Sequence, residues 1–211
     1  MPTAAATGRR RTAPTRAERQ ARTRTELVDA AERLFSGQGF HATSLDSVAD
    51  AAGYTKGAVY SNFASKEDLF FAVYERRVDR HVEQIRPVLA RARDGDGDLA
   101  RALAEIAGRR EHDTGWLAVF LEFWTHVVRH PEHRERFAAA HARAAEPFAD
   151  ALSAVRGLRL QIEPRHVAMA GFALATGMGL ERLTRPDDVD VELAVRVQEL
   201  WARALIEPRE G

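Results

Sequence analysis

Apolar residues recur along most of this chain with the three-to-four-residue spacing of amphipathic helices. In residues 24–36 they fall at i, i+3, i+4 and i+7, and Thr23 and Glu26 have the spacing of a capping box. Gly37 and Gly39 predict the end of this first helix, because glycine accepts the left-handed conformation that often follows a helix C-terminus. No strand-like alternation competes, so the pattern predicts an all-α protein of about nine helices.

Two short helices separated by a glycine are predicted next. Residues 44–52 form the second helix, capped by Thr43 or Ser44, and Gly53 supplies the turn. Thr55 caps a third helix that ends at about residue 63. This layout is typical of a helix-turn-helix, which places its second helix in the major groove of DNA.

Proline and glycine divide the remainder of the chain into six further helices. A glycine-spaced acidic run at residues 94–98 lacks the spacing of a calcium-binding EF-hand and predicts a plain loop. Pro147 is expected to kink the helix that contains it. The predicted helices cover about residues 65–85 (ending near Pro87), 99–109, 114–129, a stretch that starts at Pro131, 164–183, and a last helix from Asp188 or Asp190 to about residue 206.

Charge is distributed unevenly although the net charge is zero. Residues 1–66 carry 10 Lys/Arg and 6 Asp/Glu, whereas residues 67–211 carry 21 and 25. A basic head on an acidic body predicts that the head meets an anionic partner. Residues 1–20 lack apolar periodicity and predict a disordered basic arm, which is either a solvated tail or a contact to phosphates and the minor groove. Its arginines are Arg9, Arg10, Arg11, Arg16 and Arg19.

The composition excludes several classes of protein. The 211 residues include no cysteine, which rules out disulfides and thiolate chemistry. Neither a membrane-spanning apolar run nor a secretory signal is evident, and we expect a cytoplasmic protein. We expect three parts: the arm at 1–20, a helix-turn-helix domain at 21–66, and a ligand-binding and dimerisation domain at 67–211.

The polar positions of the third helix suit DNA. Gly57 within a helix costs about 1 kcal/mol relative to alanine, and close approach of DNA would explain its presence. The hydroxyl of Tyr60 suits a phosphate oxygen. Lys66, at the start of the next helix, could bind a phosphate together with the helix N-terminal amides.

Residues 43–70 resemble the DNA-binding signature of the TetR family of bacterial transcriptional regulators. Asn62 departs from the histidine that is frequent in the family. The matching residues are Thr43, Val48, Ala49, Ala52, Gly53, Thr55, Gly57, Val59, Tyr60, Phe63, Lys66, Glu67 and Leu69.

The resemblance implies a homodimer that binds a palindromic operator in double-stranded DNA and releases it when an effector occupies the C-terminal domain. It implies base contacts from Lys56, Gly57, Ala58 and Ser61. The full set of predicted DNA-binding residues is Thr43, Ser44, Thr55, Lys56, Gly57, Ala58, Tyr60, Ser61, Asn62 and Lys66.

Large apolar residues of the body form either a core or an effector pocket, because both use the same residue types. His126, His130 and His133 approach metal-ligand spacing, but Pro131 favours a surface helix end, and we predict no metal and no cofactor. The predicted effector is a small apolar or amphipathic molecule of unknown identity. The candidate ligand-binding residues are Trp116, Phe120, Phe123, Trp124, His141, Met169 and Phe172.

The last two helices are predicted to form the dimer interface. One helix carries small residues at i, i+4 and i+8, and the final helix is apolar on more than one side, which requires a covering partner. The candidate interface residues are Gly171, Ala175, Gly179, Val197, Leu200, Trp201 and Leu205.

The leading hypothesis is therefore a ligand-responsive repressor. The alternative keeps the DNA-binding head but has no small-molecule effector, so that regulation is constitutive or depends on a protein partner. An enzyme is not supported, because no nucleophile–base order, paired carboxylates or phosphate loop is found.

Overall fold

The computed structural model describes residues 15–93, 98–110, 114–154, 160 and 162–206. Within these ranges all regular structure is helical, which confirms the predicted all-α class and the nine helices. The helices are α1 (Arg16–Ala42), α2 (Leu45–Ala52), α3 (Lys56–Tyr60), α4 (Lys66–Arg93), α5 (Leu99–Arg110), α6 (Thr114–Arg129), α7 (Arg134–Ser153), α8 (Pro164–Thr184) and α9 (Val191–Ile206), with a 3-10 turn (Pro131–His133) between α6 and α7.

Helix α1 begins two turns earlier than its apolar stripe predicts. The Thr15 hydroxyl accepts from the Glu18 amide (3.1 Å), and the Glu18 carboxylate accepts from the Thr15 amide (2.6 Å), a complete capping box. The prediction that the helix starts at about Arg24 was wrong, because these first turns are exposed and need no apolar stripe. Residues 16–20 of the predicted arm are thus helical, and residues 1–14 lie outside the described residues.

Gly39 ends the first regular run of α1, as the sequence pattern predicts, and a short second run follows a kink. Its φ of 87° breaks the helical geometry, but the helix resumes and runs to Ala42. This conformation favours glycine, and a Cβ at this position would also lie 2.5 Å from Oε1 of Glu122 on α6, so that the Glu122 carboxylate would have to move. Gly37 stays within the helix, and its predicted role as a terminator was wrong.

Two prolines lie inside helices. Helix α4 continues through Pro87 to Arg93, so the predicted end near Pro87 was wrong. Buried Ile85 and Leu89 pack into one core cluster on either side of this proline, and that packing offsets the missing hydrogen bond. Pro147 is buried within the continuous α7.

A single aromatic core joins the head to the body. Phe35 and Phe40 of α1 meet Phe70 of α4 and Phe123 of α6, and the Phe70 and Phe123 rings are 3.9 Å apart. A second core, which includes Ile85, lies between α4, α5, α7, α8 and α9. The first core crosses the predicted domain boundary at residue 66, so that the head and the body share buried aromatic residues. No helix in the described ranges is long and apolar enough to cross a membrane.

Candidate nucleic-acid interface

Local caps build the helix-turn-helix. Ser44, and not Thr43, caps α2, since Ser44 and Ser47 exchange hydrogen bonds between each amide and the other's hydroxyl, both 3.0 Å long. Gly53 ends α2 in the left-handed conformation, with φ 72°. The Thr55 hydroxyl accepts from the Ala58 amide at 3.2 Å, which confirms the predicted cap of α3.

The inner side of α3 anchors it to the head. Val59 and Phe63 are buried as the spacing predicts, although α3 itself ends at Tyr60. The Arg24 guanidinium lies 4.3 Å from the Phe63 ring centroid and donates to the Asn62 carbonyl (2.8 Å). These contacts fix the orientation of a helix that is only five residues long.

Most of the predicted DNA-binding residues are exposed. Ala58, Asn62 and Lys66 are half-buried, and Thr43 is buried. The side chain of Tyr60 points outward and is 57% exposed, although aromatic residues usually favour burial. We call the exposed set the polar face: Ser44, Thr55, Lys56, Gly57, Tyr60 and Ser61.

Several predicted DNA-binding side chains already donate hydrogen bonds to backbone carbonyls, and that of Asn62 donates to Ala58 at 2.8 Å. The Thr43 hydroxyl donates to the Gly39 carbonyl at 2.8 Å. The Lys66 ammonium donates to the carbonyls of Phe40 (3.0 Å) and His41 (3.3 Å) at the end of α1, above the Phe40 ring. Their phosphate contacts stay predictions, and each phosphate would have to compete with these bonds.

Lys56 is held by an acidic neighbour on α2. Its ammonium lies 2.5 Å from Oδ2 of Asp46, and this hydrogen bond raises the pKa of Lys56. Ion pairs this exposed are weak in water. DNA phosphates or base acceptors can therefore replace Asp46 as the partner of Lys56.

Gly57 offers a test that separates stability from DNA binding. A Cβ at Gly57 would meet only the Thr55 hydroxyl, at 3.9 Å, so that alanine fits the DNA-free protein. We expect Gly57→Ala to stabilise the fold by up to about 1 kcal/mol, because alanine is the better helix former. We also expect weaker DNA binding, because the added methyl group would lie on the polar face, where we expect DNA to approach closely. Thermal unfolding and fluorescence anisotropy measure the two effects.

Gly37→Ala is the matched control for Gly57→Ala. Gly37 also lies in a helix, and a Cβ added there would meet nothing within 4 Å, but it lies outside the polar face. The substitution should stabilise the fold and leave DNA affinity unchanged. Equal DNA affinities of the two variants would contradict close approach of DNA at Gly57.

An ion-pair network joins α1 to α4. Glu32 accepts hydrogen bonds from Arg76, Arg77 and Arg80, each 2.6 Å long. Burial acts to raise the pKa of the Glu32 carboxyl, but the three guanidinium groups outweigh it and hold that pKa below its usual range. Arg76 also donates to Asp29 (2.6 Å). The helical patterns did not predict this network, because its partners are more than forty residues apart.

Four histidines meet at the junction between α1 and α6. The rings of His126 and His130 stack at 4.1 Å, and His41 and His133 lie within 6.4 Å of His126. Burial, and next the charge of His130, lower the pKa of His126, which therefore favours the neutral form. Among the residues that the structure describes, no cluster of three or more potential ligands is arranged to hold a metal ion.

Two cavities are lined mainly by residues of the body. The larger, of about 700 Å³, is lined by charged residues of α1 and α4 and by apolar residues including Trp116. The smaller, of about 50 Å³, is apolar and lies between α7, α8 and α9, with Phe172 in its wall.

The predicted ligand-binding residues are not gathered around one cavity. Phe120 and Phe123 are buried in the aromatic core, and Met169 is 54% exposed. Trp124 and His141 pack edge-on at 5.1 Å, and Nδ1 of His141 is 3.2 Å from the Tyr74 hydroxyl. Of the predicted set, Trp116 lines the larger of these two cavities and Phe172 lines the smaller.

Some of the predicted dimer residues pack inside the chain itself, whereas Leu200 is exposed and free to contact a second subunit. The Trp201 ring packs on Gly171 of the same chain, and Ala175, Trp201 and Leu205 line the smaller cavity. Gly179 is buried, Val197 is half-buried, and Leu200 is 61% exposed. Of the eight exposed large apolar side chains in the described part of the chain, five lie on α8 and α9: Met169, Leu180, Leu183, Leu193 and Leu200.

Comparisons with known proteins agree with this architecture. The chain is 29% identical over 180 residues to the transcriptional activator FasR of Mycolicibacterium smegmatis, covering 84% of this chain and 81% of FasR. It is 36% identical over 105 residues to the transcriptional repressor KstR2 of Rhodococcus jostii, covering 50% and 52%. Its fold matches a transcriptional regulator from Saccharomonospora viridis in complex with choline (TM-score 0.70, 19% identity, 90% of this chain and 100% of that one).

Two family models match separate parts of the chain. The model for bacterial regulatory proteins of the tetR family matches residues 27–73, which hold the helix-turn-helix. The model for the C-terminal part of BetI-type transcriptional repressors matches residues 95–207. The chain belongs to the TetR family of bacterial transcriptional regulators and is a DNA-binding protein, not an enzyme.

Proposed function

We propose that this regulator is a repressor that binds a palindromic operator as a homodimer and releases it when a small amphipathic effector enters the body. The polar face supports the DNA-binding role in this proposal. Lys56 and Tyr60 are exposed on one side of α3, and Val59 is buried on the other side, which holds the helix in place. Repression is favoured by the match to BetI-type repressors, whereas FasR carries the name of an activator.

The outward faces of α8 and α9 support the homodimer. Five exposed large apolar side chains on two adjacent helices form a surface that a second subunit can cover. A two-fold dimer would present two copies of α3, which requires an operator with two inverted half-sites.

The larger cavity favours an effector over the alternative of a regulator without one. Its volume of about 700 Å³ lies within the range of small-molecule sites. Its wall includes Glu32 of α1, the first helix of the head, so that an occupant would contact the head directly.

Selection of binding sites from a random duplex library tests the proposed function. The full chain should select inverted half-sites spaced by about one helical turn of 10–10.5 base pairs. Two chains should bind each selected duplex in sedimentation experiments. A single asymmetric half-site bound by one chain would contradict the dimer.

Leu200→Glu is the matching variant for the dimer, because Leu200 is the most exposed apolar side chain of α9. A buried, unpaired carboxylate at the interface should shift the protein to monomers. Binding to the selected palindrome should fall, because one chain reaches only one half-site. A variant that stays dimeric and binds normally would place the interface elsewhere.

A further inference from the structure

The wall of the larger cavity combines charged and apolar side chains. The charged side chains include Arg77, Arg80 and Glu32, and the Arg77 guanidinium lies 4.3 Å from the Trp116 ring centroid. The other lining residues are Tyr74, Val78, His81, Gln84, Ile85, Val88, Ile106, Trp116 and Ala144. This combination suits a ligand with a polar head and a hydrocarbon tail.

The guanidinium groups in the wall favour a ligand with an acidic group. Guanidinium groups bind carboxylates and phosphates through charge-assisted hydrogen bonds. In the structure that role is filled from within the protein, since Oε1 of Glu32 accepts from both Arg77 and Arg80 at 2.6 Å. Glu32 therefore occupies the position where an incoming anion would bind.

We propose that the effector is an amphipathic anion whose acidic group displaces Glu32 from Arg77 and Arg80 while its tail packs on the apolar side chains of the cavity wall. Burial of the tail supplies a gain that Glu32 lacks, because its own carboxylate carries no hydrocarbon into the cavity. Glu32 would stay paired, since Arg76 lies outside the cavity wall and keeps its bonds to Glu32 and Asp29.

Displacement of Glu32 would change how the head sits on the body. Glu32 belongs to α1 and the arginines belong to α4, so the hydrogen bonds from Arg77 and Arg80 that link the two helices would be lost. Helix α1 also carries Arg24, which holds the C-terminal side of α3 through the Asn62 carbonyl. A shift of α1 relative to α4 would thus reach the polar face. This consequence rests on the proposed function, whereas binding of the anion does not.

Isothermal titration of the full chain without DNA tests the site. The probes are decanoate, decan-1-ol and decylamine, which share a tail and differ in the charge of the head. Decanoate should bind at least about tenfold more tightly than the other two, the size of one charge-assisted hydrogen bond. Equal binding of decanoate and decanol, or no binding of decanoate, would overturn the proposal.

Substitutions of the charged residues in the cavity wall should change decanoate affinity in opposite directions. Glu32→Gln should bind decanoate about tenfold more tightly, because the competing carboxylate is gone, whereas Arg80→Gln should bind it more weakly. Asp29→Asn is the matched control: it also removes an acid bound to Arg76, but Asp29 does not line the cavity, and affinity should not change. Thermal unfolding verifies that each variant is folded. An unchanged affinity in folded Glu32→Gln would overturn the competition.

The effect on DNA is measured separately. Decanoate should lower the affinity of the wild-type protein for its selected duplex, and Glu32→Gln should respond at lower decanoate concentrations. If the protein bound the duplex but decanoate neither bound to it nor lowered its DNA affinity, the inference alone would be overturned. A protein that binds decanoate but selects no duplex in its absence would overturn the proposed function alone.

Discussion

Replacing Lys56 and Tyr60 together by alanine is expected to weaken binding to the selected operator by more than about 100-fold. Hydrogen bonds to charged groups are worth about 1.5–3 kcal/mol each, and each 1.4 kcal/mol is a factor of ten. Both side chains are exposed, so the fold should persist, and circular dichroism should show unchanged helicity. Fluorescence anisotropy with labelled duplex measures the loss.

The salt dependence of binding gives a second readout for the same variant. Because phosphate contacts release counterions, the double variant should show a shallower fall of affinity with salt than the wild type. Arg101→Ala is the matched control, since Arg101 is an equally exposed cation that is paired with an acidic neighbour, but on the body helix α5. Normal operator binding by the double variant would remove the polar face from the DNA interface.

Phe123→Ala is expected to destabilise the protein by about 3–5 kcal/mol, the usual cost of a large aromatic truncation in a core. Phe123 is fully buried and its ring contacts those of Phe40, Phe70 and Phe71. The substitution would leave a cavity between head and body that these rings cannot fill. Urea unfolding of the full chain measures the change in the free energy of unfolding.

Val128→Ala, on the same helix, is the control for Phe123→Ala. Val128 is 57% exposed, and its truncation should change the free energy of unfolding by less than about 0.5 kcal/mol. If Phe123 instead lined an effector pocket, as its sequence context allowed, its truncation would cost little and would enlarge that pocket. A small loss of stability would therefore contradict the assignment of Phe123 to the core.

The helix-turn-helix could be predicted from sequence because its determinants are local. Ser44, Gly53 and Thr55 act within three or four residues of themselves, and the structure places them as the pattern indicates. The start of α1 and the end of α4 were predicted wrongly for different reasons. The start of α1 has a cap but no apolar stripe. The end of α4 follows Pro87, which removes a helical hydrogen bond, but packing of the neighbouring residues keeps the helix intact.

The features of the body depend on contacts that no local pattern carries. Aromatic residues have the same helical spacing whether they fill a core, as Phe123 does, or line a cavity, as Trp116 does. Glu32 and its arginines come from distant segments, although Arg76, Arg77 and Arg80 share one side of a helix and could have indicated an acidic partner. The surroundings of Gly39 could not be predicted either, because Glu122, the residue nearest to it across the core, lies on the distant helix α6.

We expect the polar face, which lies within residues 44–61, to be the surface that meets DNA. Hydrogen–deuterium exchange of the full chain, with and without its selected duplex, tests this most directly. We predict that the strongest DNA-dependent protection of backbone amides falls in residues 44–66. Protection confined to the body helices, with residues 44–66 exchanging equally in both states, would contradict the account.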